Sequence, residues 1–380
     1  MKRKVLYLFL LFLGNFNWSN AQYISKAMLF ERPVEQSDSN SLSISYQNLF
    51  YLRDFEYYNN IQTGWTSFGT WHDARFTVQP HKWVRFQAGV LFQKEFGDLE
   101  LNRMIPFLSF QYQRKDSRLL FGILEGHQNH RLIEPLMQYD QVYIHPQEEG
   151  IQYKVSKKRY WLDLWLDWER RQLINDSNPE KLTGGLSSIV NLSDPQKIVH
   201  FKWINQLLVA HKGGQLNTLP IPVTTTMNFA QGLWAEVNHP DPTNWLRQFR
   251  TDAYYVGYSL REAENNHLFD KGHGFLLNAA VQTKWDVFLV ASYWNGHHFI
   301  SSKGGQLYQS ISSITNQMTY SEPNRELFFI NLGYEKELFP GFLMNVRVSP
   351  YRDFNNALNE VSAYLLFSYR GNFRLSRFKK

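Results

Sequence analysis

The residues best placed for chemistry lie in one segment, residues 126–149. His127 and His130 are three positions apart and Glu134 follows four positions later, so a helical turn would align them on one face. Such a face could bind zinc, but a single His-x-x-His pair without fixed geometry is a weak metal signal. With Arg131 between the pair and Glu134, the pattern favours a loop that packs into a pore and constricts it; partner contact is the third interpretation. No metal is predicted.

A second candidate is the pentapeptide Lys-Gly-Gly-Gln-Leu, which occurs twice. Its first three residues are Lys212, Gly213 and Gly214 in one copy and Lys303, Gly304 and Gly305 in the other. Paired glycines give the backbone freedom for a turn or bulge, or let another chain approach closely. We favour a shared turn at the rim of the fold over a shared ligand contact or a distant duplication.

An enzyme would need a nucleophile within reach of a positioned base. His211, His297 and His298 occur with several serines nearby, yet no spacing pairs one nucleophile with one base. We therefore expect that the chain is not an enzyme and that it uses no cofactor.

The elements that position these residues are strands, because apolar and polar residues alternate with a period of two. Residues 160–169 show the pattern most clearly. One face would carry Tyr160, Leu162, Leu164, Leu166 and Trp168, and the other Trp161, Asp163, Trp165, Asp167 and Glu169. In a membrane barrel the apolar face meets lipid and the polar face meets the lumen.

The connections between the predicted strands alternate between short turns and longer loops from residue 79 to the end. Transmembrane barrels show this asymmetry because their periplasmic turns are short and their external loops long. The sequence therefore predicts an all-β fold, a transmembrane antiparallel up-and-down β-barrel of about sixteen strands, with fourteen or eighteen as alternatives. The short-turn ends carry aromatic residues suited to an interfacial girdle: Trp83, Trp245, Trp285 and Phe342.

Charged residues on the best-phased strands should face the lumen. The main candidates are Arg85, Asp163, Asp167, Lys202, Arg250, Asp252 and Arg347. Because positive and negative charges are nearly balanced, these residues could form either a transverse electric field across a water-filled pore or a ladder of ion pairs that stiffens the wall.

The N-terminus is that of an exported protein. Lys2, Arg3 and Lys4 precede an apolar stretch at residues 5–13, and cleavage after Ala21 would remove a signal peptide. Residues 22–44 are then a short periplasmic leader, too small for a plug domain, and residues 45–380 a single barrel.

Composition agrees with this assignment. The net charge of +6 includes three positive charges in the signal peptide, so the mature chain is only weakly basic and nucleic acid is not an expected partner. Cysteine is absent, which excludes disulfides, thiolate metal sites and a lipid anchor on cysteine. Aromatic residues make up 16% of a chain whose mean hydropathy is −0.43. Alternating lipid-facing and lumen-facing strands produce this combination.

The chain resembles outer-membrane barrels of the Bacteroidota with a porin-like architecture. The resemblance rests on the signal end Ser-Asn-Ala-Gln, on Asp-Phe-Glu-Tyr-Tyr-Asn from residue 54, on residues 126–136, on the two pentapeptides and on residues 307–310. It implies the fold and the cell outer membrane of a Gram-negative bacterium as location, but no activity. The chain departs from proteobacterial barrels by ending on two lysines, with Phe378 the nearest aromatic residue.

From these observations we expect a porin-like passive or weakly selective channel for small hydrophilic solutes. The alternative is a non-conducting accessory barrel of an envelope secretion, assembly or uptake complex. The expected partners are outer-membrane lipid and either small hydrophilic solutes or envelope proteins.

Overall fold

The computed structural model describes residues 25–194, 197–214, 216, 222–241, 243–262, 268–317 and 319–378. The expected signal peptide at residues 1–21 lies outside these residues. Sixteen strands make up the fold: β1 Ser41–Glu56, β2 Thr66–His81, β3 Val84–Glu95, β4 Arg103–Arg114, β5 Ser117–Ile123, β6 Glu149–Ser156, β7 Tyr160–Arg170, β8 Lys181–Asn191, β9 Val199–Lys212, β10 Thr224–Asn238, β11 Leu246–Glu262, β12 Lys271–Thr283, β13 Val287–His297, β14 Asn324–Phe339, β15 Phe342–Asp353 and β16 Leu358–Arg377.

The strands form one closed antiparallel barrel. Each strand pairs with its neighbours in sequence, and β1 closes the ring by pairing with β16, as in Leu49↔Ser368. Closure leaves no unpaired sheet edge, which is the condition for a sheet to exist in lipid. The predicted sixteen-stranded up-and-down barrel is confirmed.

The predicted alternation is confirmed on β7. Asp163 is fully buried inside the barrel, whereas Leu164 is 38% exposed on its outer surface. Links of 2 to 7 residues join the strands at one end. At the other end the links have 7 to 26 residues, except for the 4-residue link from β15 to β16. We call these the short-turn end and the long-loop end. At the short-turn end, Lys82 lies over the ring of Trp83 and Lys284 over that of Trp285. No helix among the described residues is long and apolar enough to cross a bilayer.

The leader, residues 25–40, enters the barrel at its short-turn end rather than lying outside it. The Arg32 amide donates to Glu125 Oε1 at 2.7 Å, and the Val34 amide donates to Gln113 Oε1 at 2.9 Å. Ala27 and Met28 are buried among wall residues of the barrel. A sixteen-stranded barrel is wide enough to admit such a segment, so the leader helps to fill this end of the lumen.

The loop that joins β5 to β6, residues 124–148, crosses the lumen and contains the short helix α1, Gln141–Ile144. The Ile133 amide donates to Gln206 Oε1 on β9 at 3.0 Å, and Asp140 lies 2.9 Å from Arg53 on β1. Because β1 and β9 are eight strands apart in a ring of sixteen, the loop spans the full diameter. We call it the crossing loop.

The connection between β13 and β14, residues 298–323, folds onto the crossing loop from the long-loop end. The Gln138 amide donates to the Lys303 carbonyl at 2.8 Å, and the Gly305 amide donates to the Glu134 carbonyl at 2.9 Å. Gly304 is required at this contact, because a Cβ atom there would lie 1.9 Å from the Pro135 carbonyl oxygen. The two loops and the leader together occupy the lumen.

Candidate functional site

The barrel wall is interrupted on one side at the long-loop end. β5 has only 7 residues, whereas β4 has 12. At a rise of roughly 3.4 Å per residue, the shortfall of five residues lowers the wall by about 17 Å. Within the described chain, β4 pairs with β5 only from Ser109 onward, and β7 pairs with β6 only as far as Asp167. We call the opening between residues 103–108 of β4 and the end of β7 the lateral gap.

The crossing loop fills the lateral gap incompletely and leaves a cavity of about 220 Å³. Its lining combines titratable side chains with amides and a few apolar residues: Ile105, His127, Met137, Gln141, His145, Gln147, Glu148, Glu149, Asp167, Trp168, Glu169 and Lys303. Trp168 belongs to the outer surface of β7, so the cavity reaches the membrane-facing side of the wall. We call it the gap cavity.

His127 is the base candidate in the gap cavity. Its Nδ1 atom lies 3.1 Å from Glu148 Oε1, which is an ion-pair distance, but the two atoms do not form a hydrogen bond. Its Nε2 atom is buried and has no hydrogen-bond partner. His127 adopts φ +53°, a left-handed conformation that is rare outside glycine, asparagine and aspartate. Backbone strain of this kind is frequent at functional sites.

Glu148 connects His127 to a second histidine deeper in the barrel. His130 Nε2 lies 2.7 Å from Glu148 Oε2, and His130 Nδ1 lies 2.9 Å from Asp163 Oδ2. Burial alone would lower the pKa of His130, but the two carboxylates outweigh it and raise that pKa to about 9. Burial also opposes ionisation of Glu148, yet His130 and His127 hold its pKa well below the ordinary value. A charged His130 therefore keeps Glu148 ionised beside His127.

Lys303 supplies a positive charge on the other side of the gap cavity. Its Nζ atom lies 2.7 Å from Glu169 Oε1, and the residue is 7% exposed. Both side-chain polar atoms of Gln147 are buried without a hydrogen-bond partner, although this residue lines the same cavity. Burial, followed by the charges of Lys303 and Arg103, lowers the pKa of His145 to about 4. Buried unpaired polar atoms are costly, so their presence in a cavity favours a ligand-binding role.

The arrangement suits hydrolysis by an activated water molecule. A general base needs a free nitrogen held in place by a second group, and His127 with Glu148 meets this description. An ammonium or amide donor nearby can stabilise a developing oxyanion, and Lys303 or Gln147 could provide this donor. No group of three or more histidine, aspartate and glutamate residues among the described residues is arranged to hold a metal ion.

The helical alignment expected for the histidine segment is wrong. His127–His130 forms one 3-10 turn, but Arg131 ends it in the left-handed region at φ +59°. Glu134 is directed away from the histidines and accepts a hydrogen bond from Tyr308 Oη at 3.0 Å. Burial raises the pKa of Glu134 to about 6. Arg131 lies over the ring of Trp161, 4.2 Å from its centroid.

The predicted wall charges all occupy inward-facing positions, mostly with partners. Lys202 lies 3.3 Å from Glu236, and Arg250 lies 3.7 Å from Asp252. Arg85 donates to the Pro33 carbonyl of the leader at 3.1 Å. Arg347 lies 4.0 Å from the centre of the Tyr364 ring. Asp163 binds His130 and Asp167 lines the gap cavity, so only these two of the set belong to the candidate site.

The two pentapeptides have different environments. Gly213 and Gly214 follow β9 at φ +88° and +101°, and Lys212 is exposed there. Gly304 and Gly305, by contrast, are buried against the crossing loop, and Lys303 lines the gap cavity. The first copy ends a strand and the second packs two loops together, so a shared turn does not describe both. Gln215 of the first copy lies outside the described residues.

Sequence reasoning missed Glu148, Gln147 and the role of Lys303. Glu148 is 21 positions from His127, and it reaches the histidine because the loop folds back, with the Leu124 amide donating to the Glu148 carbonyl at 3.0 Å. For Glu148 and Gln147, the only available signal was their presence in one loop with the paired histidines; Lys303 lies in a different connection, between β13 and β14. The lateral gap was also missed.

Comparison with known proteins assigns the chain to a family. The profile of the family described as Lipid A 3'-O-deacylase-type matches residues 34–378, which is nearly the whole described barrel. The chain belongs to this family. The expectation that the chain is not an enzyme is overturned by this membership, since the family is named for an enzymatic activity.

Solved structures independently support the fold and the location. OprD from Pseudomonas aeruginosa superposes with a TM-score of 0.50 at 10% identity, covering 89% of this chain and 97% of OprD. The loop L8 deletion mutant of OmpT from Vibrio cholerae gives the same TM-score and identity, with 87% and 99% covered. The protein is therefore an outer-membrane barrel of porin-like architecture. Comparison with curated proteins finds no match.

Proposed function

We propose that this protein hydrolyses an acyl ester of an outer-leaflet lipid, as the name of its family describes for lipid A. The observation that carries the proposal is the gap cavity, where a histidine with a free Nε2 atom and an orienting carboxylate stands beside an opening in the barrel wall. A lumen-facing site would be inaccessible to a membrane lipid, whereas this one opens sideways.

The side chains bordering the lateral gap are suited to lipid. Met104 and Leu108 on β4 are 70% and 74% exposed, and Leu166 and Trp168 on β7 are each at least 40% exposed. Short turns face the periplasm in outer-membrane barrels, so the long-loop end and its gap lie at the outer leaflet. An ester at the top of an acyl chain can then reach the cavity without leaving the membrane.

The reaction is a water-mediated hydrolysis. His127 Nε2 takes a proton from water as the water oxygen bonds to the ester carbonyl carbon, giving a tetrahedral oxyanion stabilised by Lys303 or Gln147. The carbon–oxygen bond to the alcohol then breaks, and His127 returns the proton to the leaving alkoxide. Glu148 orients the imidazole and stabilises its charged form. The products are a free fatty acid and a lipid with one fewer acyl chain.

The test is mass spectrometry of lipid A incubated with purified barrel in mixed micelles. Wild type should release one fatty acid. His127→Asn, chosen because asparagine tolerates the left-handed backbone, should lower the rate roughly 100-fold or more, the usual size of a general-base contribution. The matched control is His72→Asn, since His72 bonds Tyr46 Oη at 2.6 Å and Thr70 Oγ1 at 3.1 Å away from the cavity. An inactive His72 variant with an active His127 variant would move the chemistry to the outer surface of β2.

A channel for small hydrophilic solutes is the second candidate, favoured by the polar inner wall and the porin-like architecture. The three segments that occupy the lumen oppose it, and they favour a non-conducting barrel instead. Single-channel recording in planar bilayers separates the two: steady conductance in wild type supports the channel. Co-purification of stable envelope proteins would support the accessory barrel.

The Bacteroidota origin stays a prediction.

A further inference from the structure

Two loops at the long-loop end present apolar side chains to solvent on opposite sides of the lateral gap. Residues 96–102 join β3 to β4, the first edge of the gap, and residues 171–180 follow β7, the second edge. Leu99 is completely exposed and Leu101 is 55% exposed in the first loop, while Leu173 is 49% and Ile174 is 76% exposed in the second. Loops at this end normally meet a polar environment, so a paired apolar display needs an explanation.

Ordered turns hold these side chains in place. In the first loop the Lys94 ammonium donates to the Asp98 and Glu100 carbonyl oxygens, and the Glu95 amide donates to Asn102 Oδ1 at 2.6 Å. In the second loop, the Leu173 amide donates a hydrogen bond to Asp176 Oδ2 at 2.6 Å, and the Asp176 amide donates one to the Leu173 carbonyl oxygen at 3.1 Å. Each loop therefore holds its apolar residues exposed to water at the rim of the gap, which is unfavourable in hydration free energy.

The exposed apolar residues of both loops continue the lipid-facing surface of the strands below them. Leu101 is followed along β4 by exposed Met104 and Leu108, and Leu173 is preceded along β7 by exposed Leu166 and Trp168. The result is two apolar strips that start in the membrane band and end above the lateral gap. Trp168 of the second strip lines the gap cavity, as does Ile105, the residue after Met104 in the first. Their common occupant must be apolar, elongated and supplied from the membrane, which describes an acyl chain.

We infer that these two loops form an acyl-chain clamp, in which Leu99 and Leu101 on one side and Leu173 and Ile174 on the other hold the chain of a lipid whose ester lies in the gap cavity. This inference rests on the proposed function and adds the specificity element: the clamp makes the enzyme selective for long acyl chains. Chains too short to reach both strips lose the contact.

The first experiment tests binding without hydrolysis. The chain contains no cysteine, so Leu99→Cys and Ile174→Cys can each be labelled with a single environment-sensitive fluorophore in phosphatidylcholine vesicles. A phosphatidylcholine carrying a nitroxide on its acyl chain should quench both labels several-fold more strongly than a label at Leu268→Cys. Leu268 is a matched control because it is 60% exposed in another long-loop connection. Equal quenching at all three positions overturns the clamp.

The second experiment measures chain-length selectivity. The double variant Leu99→Gln with Ile174→Gln should raise KM for a long-chain lipid ester about ten-fold, or about 1.4 kcal/mol, while kcat changes less than two-fold. Hydrolysis of a water-soluble short-chain ester should be unchanged, and Leu268→Gln should alter neither substrate. An equal loss on both esters overturns selectivity. If wild type hydrolyses no ester, the proposed function fails, and the quenching result still decides whether the loops bind acyl chains.

Discussion

His130 makes the docking of the crossing loop dependent on pH. The imidazole is fully buried between Glu148 and Asp163, and its ring stacks on Trp165 with centroids 3.7 Å apart. Its folded-state pKa of about 9 lies above the value of roughly 6.5 expected for an undocked loop. Because the folded pKa is raised, the stabilisation is fully present below pH 6.5 and is lost as pH rises through about 9. The shift corresponds to about 3 kcal/mol.

The assay is hydrogen exchange by mass spectrometry, with protection factors corrected for intrinsic rates. Amides of the turn around His130, such as that of Arg131, which donates to the Gln128 carbonyl, should lose roughly 100-fold protection between pH 6.5 and pH 10. His130→Gln should be less protected at pH 6.5 and should show little further loss on raising the pH. His81→Asn, at the exposed short-turn end, is the control. Wild-type protection that stays constant over this interval would refute the charged-imidazole account.

Three further predictions concern stability. Gly122→Val should destabilise the barrel by at least about 2 kcal/mol, because a Cβ atom there would lie 2.1 Å from the Leu108 carbonyl oxygen. Gly97→Val is the control, since Gly97 has a similar positive φ but open space around it. Equal urea unfolding midpoints for the two variants would contradict the clash. Arg325→Met removes the buried partner of Asp353, 2.7 Å away, and should lower the free energy of unfolding by about 3–5 kcal/mol. The control, Arg247→Met at an exposed position, should lower it by less than about 1 kcal/mol. Similar unfolding midpoints for the two variants would argue against a buried network. Deleting residues 25–32 removes the hydrogen bond from the Phe30 amide to Asn129 Oδ1 and should increase exchange in the crossing loop by at least about five-fold, as expected for one hydrogen bond; unchanged exchange would show that the leader does not support the loop.

The strands and their order could be predicted because each depends on local pattern. Period-two alternation, as in Leu164 beside Asp163, assigns faces without knowledge of the rest of the chain. The alternation of short turns and long loops then predicts the topology, since antiparallel neighbours in lipid must close into a ring. The prediction of about sixteen strands followed from these two observations.

The candidate site could be predicted only in part. His127 was selected from its residue type and loop, but its contact with Glu148, whose Oε1 atom accepts a hydrogen bond from the His127 amide at 3.0 Å, exists only in the folded loop. Lys303 was noticed as part of a repeat and interpreted as part of a turn, because a sequence pattern does not show that Lys303 folds down beside His127, 176 positions before it in the chain.

By itself, the sequence determined that this chain is an exported, cysteine-free barrel with a polar inner wall, because hydrophobic alternation is a property of neighbouring residues. Only the tertiary structure decided that three segments occupy the lumen and that the wall is open beside β4. It also decided that a histidine, a carboxylate and a lysine meet at that opening. Those features arise from contacts between residues far apart in the chain, where small differences in loop path decide which side chains come within bonding distance.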